Sequence, residues 1–154
     1  CNVLVPRFPT PENQTPENWF KVFEPYKKHL GSDSIIIGHS GGGLFVLHLL
    51  EKINIQIKAT FLVAAPIGVL PIKYYEVDKP FLENPFNWNK IRKNSQKFYV
   101  FHSDDYLLVS VCNIEKLAKE LNTDLIRVPN AGHFNEKAGY TEFELLLEKI
   151  RQVL

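Results

Sequence analysis

Residues 34–52, SIIIGHSGGGLFVLHLLEK, carry the clearest structural signal in the chain. The apolar, β-branched run from Ser34 to Ile37 predicts a strand that is buried on both faces. A glycine-rich turn follows at Gly38 to Gly43, and the apolar segment Leu44 to Lys52 predicts a helix. The sequence therefore predicts a strand, a tight turn and a helix in direct succession.

Within the turn, Gly38-His39-Ser40-Gly41-Gly42 matches the pattern Gly-x-Ser-x-Gly. Between a strand and a helix, this pattern indicates a nucleophile elbow, which presents the serine oxygen above a sheet. The alternatives are a structural turn or a phosphate loop, but a Walker-type loop would need a Gly-Lys-Ser/Thr ending, which the sequence lacks. We therefore interpret Ser40 as a nucleophile.

Strands and helices alternate on both sides of this segment. An apolar run at Cys1 to Val5 predicts a first strand, and Thr15-Pro16-Glu17 predicts the capped start of a helix. Further strands are predicted at Ala59–Ala65, Lys97–Phe101 and Asp124–Val128, and further helices at Asn113–Leu121 and Thr141–Leu154. The alternation predicts a single α/β domain over residues 1–154, with a mostly parallel, doubly wound sheet. Active sites in such sheets lie outside the carboxyl ends of the strands.

A serine needs a base to become a good nucleophile, and the chain has five histidines. His133 is the best candidate, because it follows the last predicted strand and Gly132 gives its loop freedom to aim the ring. A structural role for His133 is the alternative. His39 lies inside the turn beside Ser40, where we expect a structural or substrate-binding role.

The base in turn needs an acid that holds its tautomer. Ser103-Asp104-Asp105 follows the predicted strand that ends at Phe101, and the order serine, aspartate, histidine is that of α/β hydrolases. Spacing does not choose between Asp104 and Asp105. We expect one of them to face the histidine and the other to cap the loop or meet solvent.

The oxyanion of an acyl-transfer reaction needs two backbone N–H donors. The N–H of Gly41 is predicted to be one of them, because it follows the nucleophile. The second is expected from a loop after the first strand of the fold, and no such strand precedes Cys1 in this sequence.

Residues 66–96 are long for a connection between two strands and are rich in aromatic residues. Their aromatic content favours an ordered cap over an apolar acyl or leaving-group pocket. A small satellite core is an alternative of equal weight. In the first case, Phe86 and Trp88 are predicted to bind substrate.

The composition excludes several other functions. A net charge of +1 directs the chain neither to nucleic acid nor to a membrane surface. No apolar run approaches the roughly 20 residues of a membrane span, and no signal peptide is visible. Cys1 and Cys112 are predicted to be free thiols in a reducing compartment, so we expect a cytoplasmic protein.

These pieces together resemble a known family, the small single-domain serine hydrolases typified by retinoblastoma-binding protein nine and its bacterial relatives. Four segments carry the resemblance, which spans nearly the whole chain. They are the strand and elbow at Ile35 to Ser40, the segment Pro85 to Ile91, the acid loop at Phe101 to Leu108, and the histidine loop Gly132-His133-Phe134.

The resemblance implies the α/β-hydrolase fold and a triad of Ser40, Asp105 and His133. It also implies hydrolysis of small esters or amides without a metal or cofactor. The run Gly41-Gly42-Gly43 is more flexible than in most members. The family's opening strand has no counterpart here, and we expect about 30 further N-terminal residues that form a βα unit.

Two classes of function follow. The leading interpretation is a hydrolase of small carboxylic esters or related acyl substrates, with thioester and peptide bonds left open because the same triad serves them. The alternative is a protein-binding module with vestigial or secondary activity and an unknown partner. Labelling by a fluorophosphonate probe would discriminate between them, because it requires an activated serine.

Overall fold

A computed structural model describes residues 2–68, 72–106 and 109–154 of the chain. Its centre is a parallel sheet of four strands in the order β1-β2-β3-β4. The strands are β1 (Ile35–His39), β2 (Ala59–Val63), β3 (Phe98–Ser103) and β4 (Leu125–Val128). Because all four strands run in one direction, their carboxyl ends and the loops that follow them meet at one edge of the sheet.

Helices connect the strands and cover the sheet. The α-helices are α1 (Pro16–Phe23), α2 (Gly41–Lys52), α3 (Ile72–Leu82), α4 (Trp88–Lys93), α5 (Val111–Glu120) and α6 (Glu144–Arg151), and short 3₁₀ helices span Glu24–His29 and Glu136–Ala138. Among the helices that the structure describes, none has the length and apolar character required to cross a bilayer.

The core has two parts, one on each face of the sheet. Side chains of β2 alternate between them, with Leu62 in one part and Phe61 and Val63 in the other. The first part also takes buried residues of α1, α2, α4 and α5, and the second is closed by apolar residues of α6. Helices therefore cover both faces as predicted, although the strand order does not reverse within these four strands.

The predicted burial of the strands holds for β2 and fails for β1. All five residues of β2 are buried, whereas Ile37 of β1 is 48% exposed. The physical reason is position, since β2 lies between two strands whereas β1 stands at the edge of the four described strands and pairs there with β2 alone.

The predicted strand at Cys1–Val5 is wrong over its described residues 2–5. These residues form no regular element, and Val3 and Val5 are each 77% exposed. An apolar run becomes a strand only where a neighbouring backbone pairs with it, and no strand within residues 2–68, 72–106 and 109–154 pairs with residues 2–5. The helix start at Thr15 is confirmed, because its hydroxyl accepts the N–H of Asn18 at 3.2 Å.

Candidate active site

Ser40 stands at the junction of β1 and α2 in a conformation that few residues adopt. Its backbone has φ 53° and ψ −129°, and its N–H donates to the carbonyl of Val63 at 2.9 Å. A non-glycine residue in such a region costs about 1–3 kcal/mol and persists only where its surroundings impose it. The Ser40 side chain makes no capping bond to α2. Its hydroxyl is therefore not engaged in capping the helix.

Close backbone packing imposes this turn. A Cβ added at Gly38 would lie 2.7 Å from the Cα of Gly43, and one added at Gly43 would lie 2.4 Å from the Cβ of Ala65. A Cβ at Gly42 would meet nothing within 4 Å. The elbow therefore needs glycine at 38 and 43, while position 42, which the sequence pattern includes, has room for a side chain.

The loop after β3 holds the loop after β4 by three successive hydrogen bonds. The N–H groups of residues 130, 131 and 132 donate to the side chains of Asp104 (2.9 Å), Ser103 (2.8 Å) and Asp105 (2.8 Å) respectively. Ser103 also donates its hydroxyl to Asp105. We name this arrangement the acid-loop clamp. It fixes the backbone immediately before His133.

The His133 ring contacts two aromatic rings. Its centroid is 4.6 Å from that of Tyr106, nearly parallel to it, and 4.6 Å from that of His39. Its Nδ1 is buried and has no hydrogen-bond partner among the residues that the structure describes. Burial, followed by the charge of His39, lowers the pKa of His133 to about 4. The ring is therefore neutral at pH 7, the form that a general base requires.

The structure brings the three predicted triad positions to the same edge of the sheet, where β1, β3 and β4 end. Asp105 meets the histidine loop at the N–H of Gly132. The bonds from Ser103 and then from Gly132 lower the pKa of Asp105, so it is ionised at neutral pH. Of the two aspartates, Asp104 bonds the loop farther from the histidine, at Asn130.

Two polar residues beside Gly41 were not predicted from the sequence. The Asp78 carboxylate of α3 lies 3.2 Å from where a Cβ of Gly41 would stand, and the Gln14 amide lies 3.5 Å from it. Gln14 donates to Asp78 at 2.8 Å. Burial raises the pKa of Asp78 against the opposing effect of this bond. No sequence pattern could show this, because the two residues are 64 positions apart.

The aromatic residues of 66–96 that were predicted to bind substrate pack against the outer part of α2. The Phe86 ring lies 4.9 Å from the ring of His48 and 5.1 Å from that of Trp88. The N–H between them, at Asn87, donates to Glu51 near the end of α2. These contacts are with the core, two turns of helix from Ser40, so substrate binding by Phe86 and Trp88 stays a prediction that no contact supports.

Comparison with known proteins identifies the family of this chain. The family model described as "Serine hydrolase" matches residues 7–152. The chain belongs to the serine hydrolase family. Two relatives are YdeN of Bacillus subtilis (strain 168), 25% identical over 91% of this chain and 74% of its own, and the serine hydrolase RBBP9 of Rattus norvegicus, 26% identical over 98% and 77%.

Solved structures place this serine hydrolase in the α/β-hydrolase fold. The YdeN structure superposes with a TM-score of 0.87 at 22% identity, over 96% of this chain and 79% of that one. An esterase of Pyrococcus furiosus superposes with a TM-score of 0.53 at 16% identity, over 90% and 58%. At these identities the likeness concerns the fold, and the fold predicted from the sequence is confirmed.

Proposed function

We propose that this serine hydrolase cleaves small carboxylic esters or related acyl substrates, with Ser40 as nucleophile, His133 as base and Asp105 as the acid that orients the base. The observation that carries the proposal is the conformation of Ser40. A strained serine at the N-terminus of a helix whose hydroxyl does not cap that helix is the arrangement expected of a nucleophile elbow.

The reaction proceeds in two steps. The Ser40 oxygen attacks the substrate carbonyl while His133 takes its proton, and His133 then returns that proton to the leaving alcohol as the acyl-enzyme forms. In the second step, water takes the place of the serine as nucleophile, and His133 again removes and returns the proton. Both steps use the imidazole first as base and then as acid, so it must be neutral when each begins.

The N-terminus of α2 stabilises the negative charge that develops on the carbonyl oxygen. The first N–H groups of a helix have no carbonyl partner earlier in the helix, and the helix dipole adds a partial positive charge there. Gly41 is the first residue of α2 and directly follows the nucleophile. Its N–H is therefore the proposed oxyanion donor.

The unpaired Nδ1 of His133 supports the choice of Asp105 as the orienting acid. A buried ring nitrogen without a partner is costly, and a triad satisfies that nitrogen with a carboxylate. Asp105 already bonds Gly132, the neighbour of His133, and it is ionised. If the Asp105 carboxylate moved from the backbone N–H to Nδ1, it would orient the His133 ring and stabilise its protonated form.

Asp105 and Asp104 form a natural pair for testing this choice. We expect Asp105→Asn to lower kcat by about 10²- to 10⁴-fold, because the amide cannot hold the imidazolium that forms. Asp104→Asn is the matched control and is expected to stay within about tenfold of wild type, because Asp104 bonds the loop two residues farther away. Steady-state kinetics on both variants measures this. A larger loss in Asp104→Asn would reverse the assignment.

A series of p-nitrophenyl esters from acetate to octanoate, combined with fluorophosphonate labelling, tests the function itself. We expect turnover of the shorter esters and stoichiometric labelling at Ser40, located by mass spectrometry of the modified peptide. Absence of both turnover and labelling would contradict the hydrolase proposal and favour a protein-binding module on this fold.

The pH dependence of the rate follows from the pKa of His133. Neutral imidazole is the active form, so a pKa lowered to about 4 extends activity toward acid rather than restricting it. We expect kcat/KM to stay level from neutrality to roughly pH 5 and to fall with a midpoint near the pKa of the free enzyme. Circular dichroism at each pH verifies that the fold persists. A midpoint at or above the ordinary histidine value would contradict the prediction and would indicate that Asp105 already stabilises the imidazolium in the free enzyme.

A further inference from the structure

One hydrogen bond connects the nucleophile strand directly to the histidine loop. The Nε2 of His39 lies 2.7 Å from the backbone oxygen of His133, across a separation of 94 residues. A carbonyl oxygen can only accept, so Nε2 carries the proton and donates. The two rings lie side by side with their centroids 4.6 Å apart.

This bond completes the support of the histidine loop. The acid-loop clamp holds the N–H groups of residues 130–132 on the side of β3, and His39 holds the carbonyl of residue 133 on the side of β1. His39 immediately precedes Ser40, whose own N–H is tied to β2 through Val63. The backbone at His133 is therefore held by a residue that directly precedes Ser40 in the chain.

We propose that His39 is a positioning residue, which sets the distance between the His133 ring and Ser40 by holding the carbonyl of residue 133. The proposal rests on the proposed function, since it needs His133 to act as the base. It replaces the substrate-binding role that the sequence suggested for His39. The His39 side chain already donates its Nε2 proton to the backbone carbonyl of His133.

The pKa of His133 provides a second measurement, because it depends on the charge of His39 and not on packing alone. A positive charge on His39 opposes protonation of His133 and is one of the two causes of its low pKa. The Tyr106 ring stacks on the His133 ring, and the Asp105 carboxylate accepts the N–H of the neighbouring Gly132. Removing the charge at 39 alone is therefore expected to make His133 easier to protonate.

Three variants of the full chain test the proposal with the same ester assay. His39→Ala removes the donor, His39→Gln keeps an N–H donor of similar reach without a titratable group, and His29→Ala is a matched control on an exposed histidine of the 3₁₀ helix that follows α1. We expect His39→Ala to lose about 10- to 100-fold in kcat with KM within about threefold, because a base displaced by 1 Å can cost that much.

His39→Gln is expected to recover most of this kcat, and the acid limb of its kcat/KM profile is expected to move to higher pH. His29→Ala should match wild type in both respects. A kcat of His39→Ala within about twofold of wild type would overturn the proposal, and so would a loss confined to KM, which would restore the substrate-binding role.

Two further outcomes keep this test separate from that of the function. If His39→Ala fails to fold, as judged by circular dichroism, His39→Phe takes its place, because it keeps a ring but has no donor for the carbonyl of residue 133, and a kcat within about twofold of wild type contradicts the proposal. Ester turnover by wild type together with labelling of Ser40 establishes the function independently. A wild-type protein without ester turnover or labelling would therefore contradict the proposed function. Normal turnover by His39→Ala would contradict only the positioning role of His39.

Discussion

Ser40→Ala is expected to lower kcat/KM for p-nitrophenyl esters by at least about 10⁴-fold, because no other group can form the acyl-enzyme. Its fold should persist with an unchanged melting temperature. The Ser40 side chain makes no capping bond, and alanine experiences the same unfavourable φ of 53° as serine. The measurement is the ester assay on purified variant, with thermal melting followed by circular dichroism.

Ser40→Gly separates catalysis from strain at the same position. Glycine accepts positive φ without the Cβ penalty, so this variant should be as inactive as the alanine variant and more stable, by on the order of 1 kcal/mol. Residual turnover above about a hundredth of wild type in either variant would show that the hydrolysis does not pass through Ser40. A stability equal to that of the alanine variant would show that the elbow stores no strain.

Gly43→Ala and Gly38→Ala are each expected to destabilise the protein by about 3 kcal/mol and to reduce turnover with it. At Gly43 the added methyl would meet the Cβ of Ala65 at 2.4 Å, and at Gly38 it would meet the backbone of Gly43 at 2.7 Å. Neither neighbour is the end of a flexible side chain, so the turn that carries Ser40 must move. Urea unfolding and the ester assay measure the two effects.

Gly42→Ala is the matched control, one residue away in the same glycine run. Its methyl meets nothing within 4 Å, and alanine favours the helix by up to about 1 kcal/mol, so stability should hold or rise. The double variant Gly43→Ala with Ala65→Gly removes the methyl responsible for the clash and should recover at least half of the lost stability. Equal losses at positions 42 and 43 would contradict the packing explanation.

Local patterns predicted the elements that depend on local causes. The start of α1 follows from Thr15 as N-cap and from the proline in the first turn. Both signals lie within four residues of the sequence, so they could be recognised without the tertiary structure. The elbow was predictable for the same reason, since β1, the turn and α2 lie in one stretch. Helices α3 and α4 were missed because Pro80 and a mixed composition hide the helical period. α3 is stabilised by tertiary burial of Phe81 against Trp19.

The sequence by itself determined the α/β class, the succession of β1, Ser40 and α2, and the loops that contain Asp105 and His133, because each depends on chain neighbours. It did not determine which glycines the elbow requires, since Gly43 is constrained by Ala65 and Gly42 by nothing. Nor did it determine that His39 bonds the histidine loop, a contact across 94 residues. Distances between segments far apart in the chain arise only when the strands align, and no local pattern encodes them.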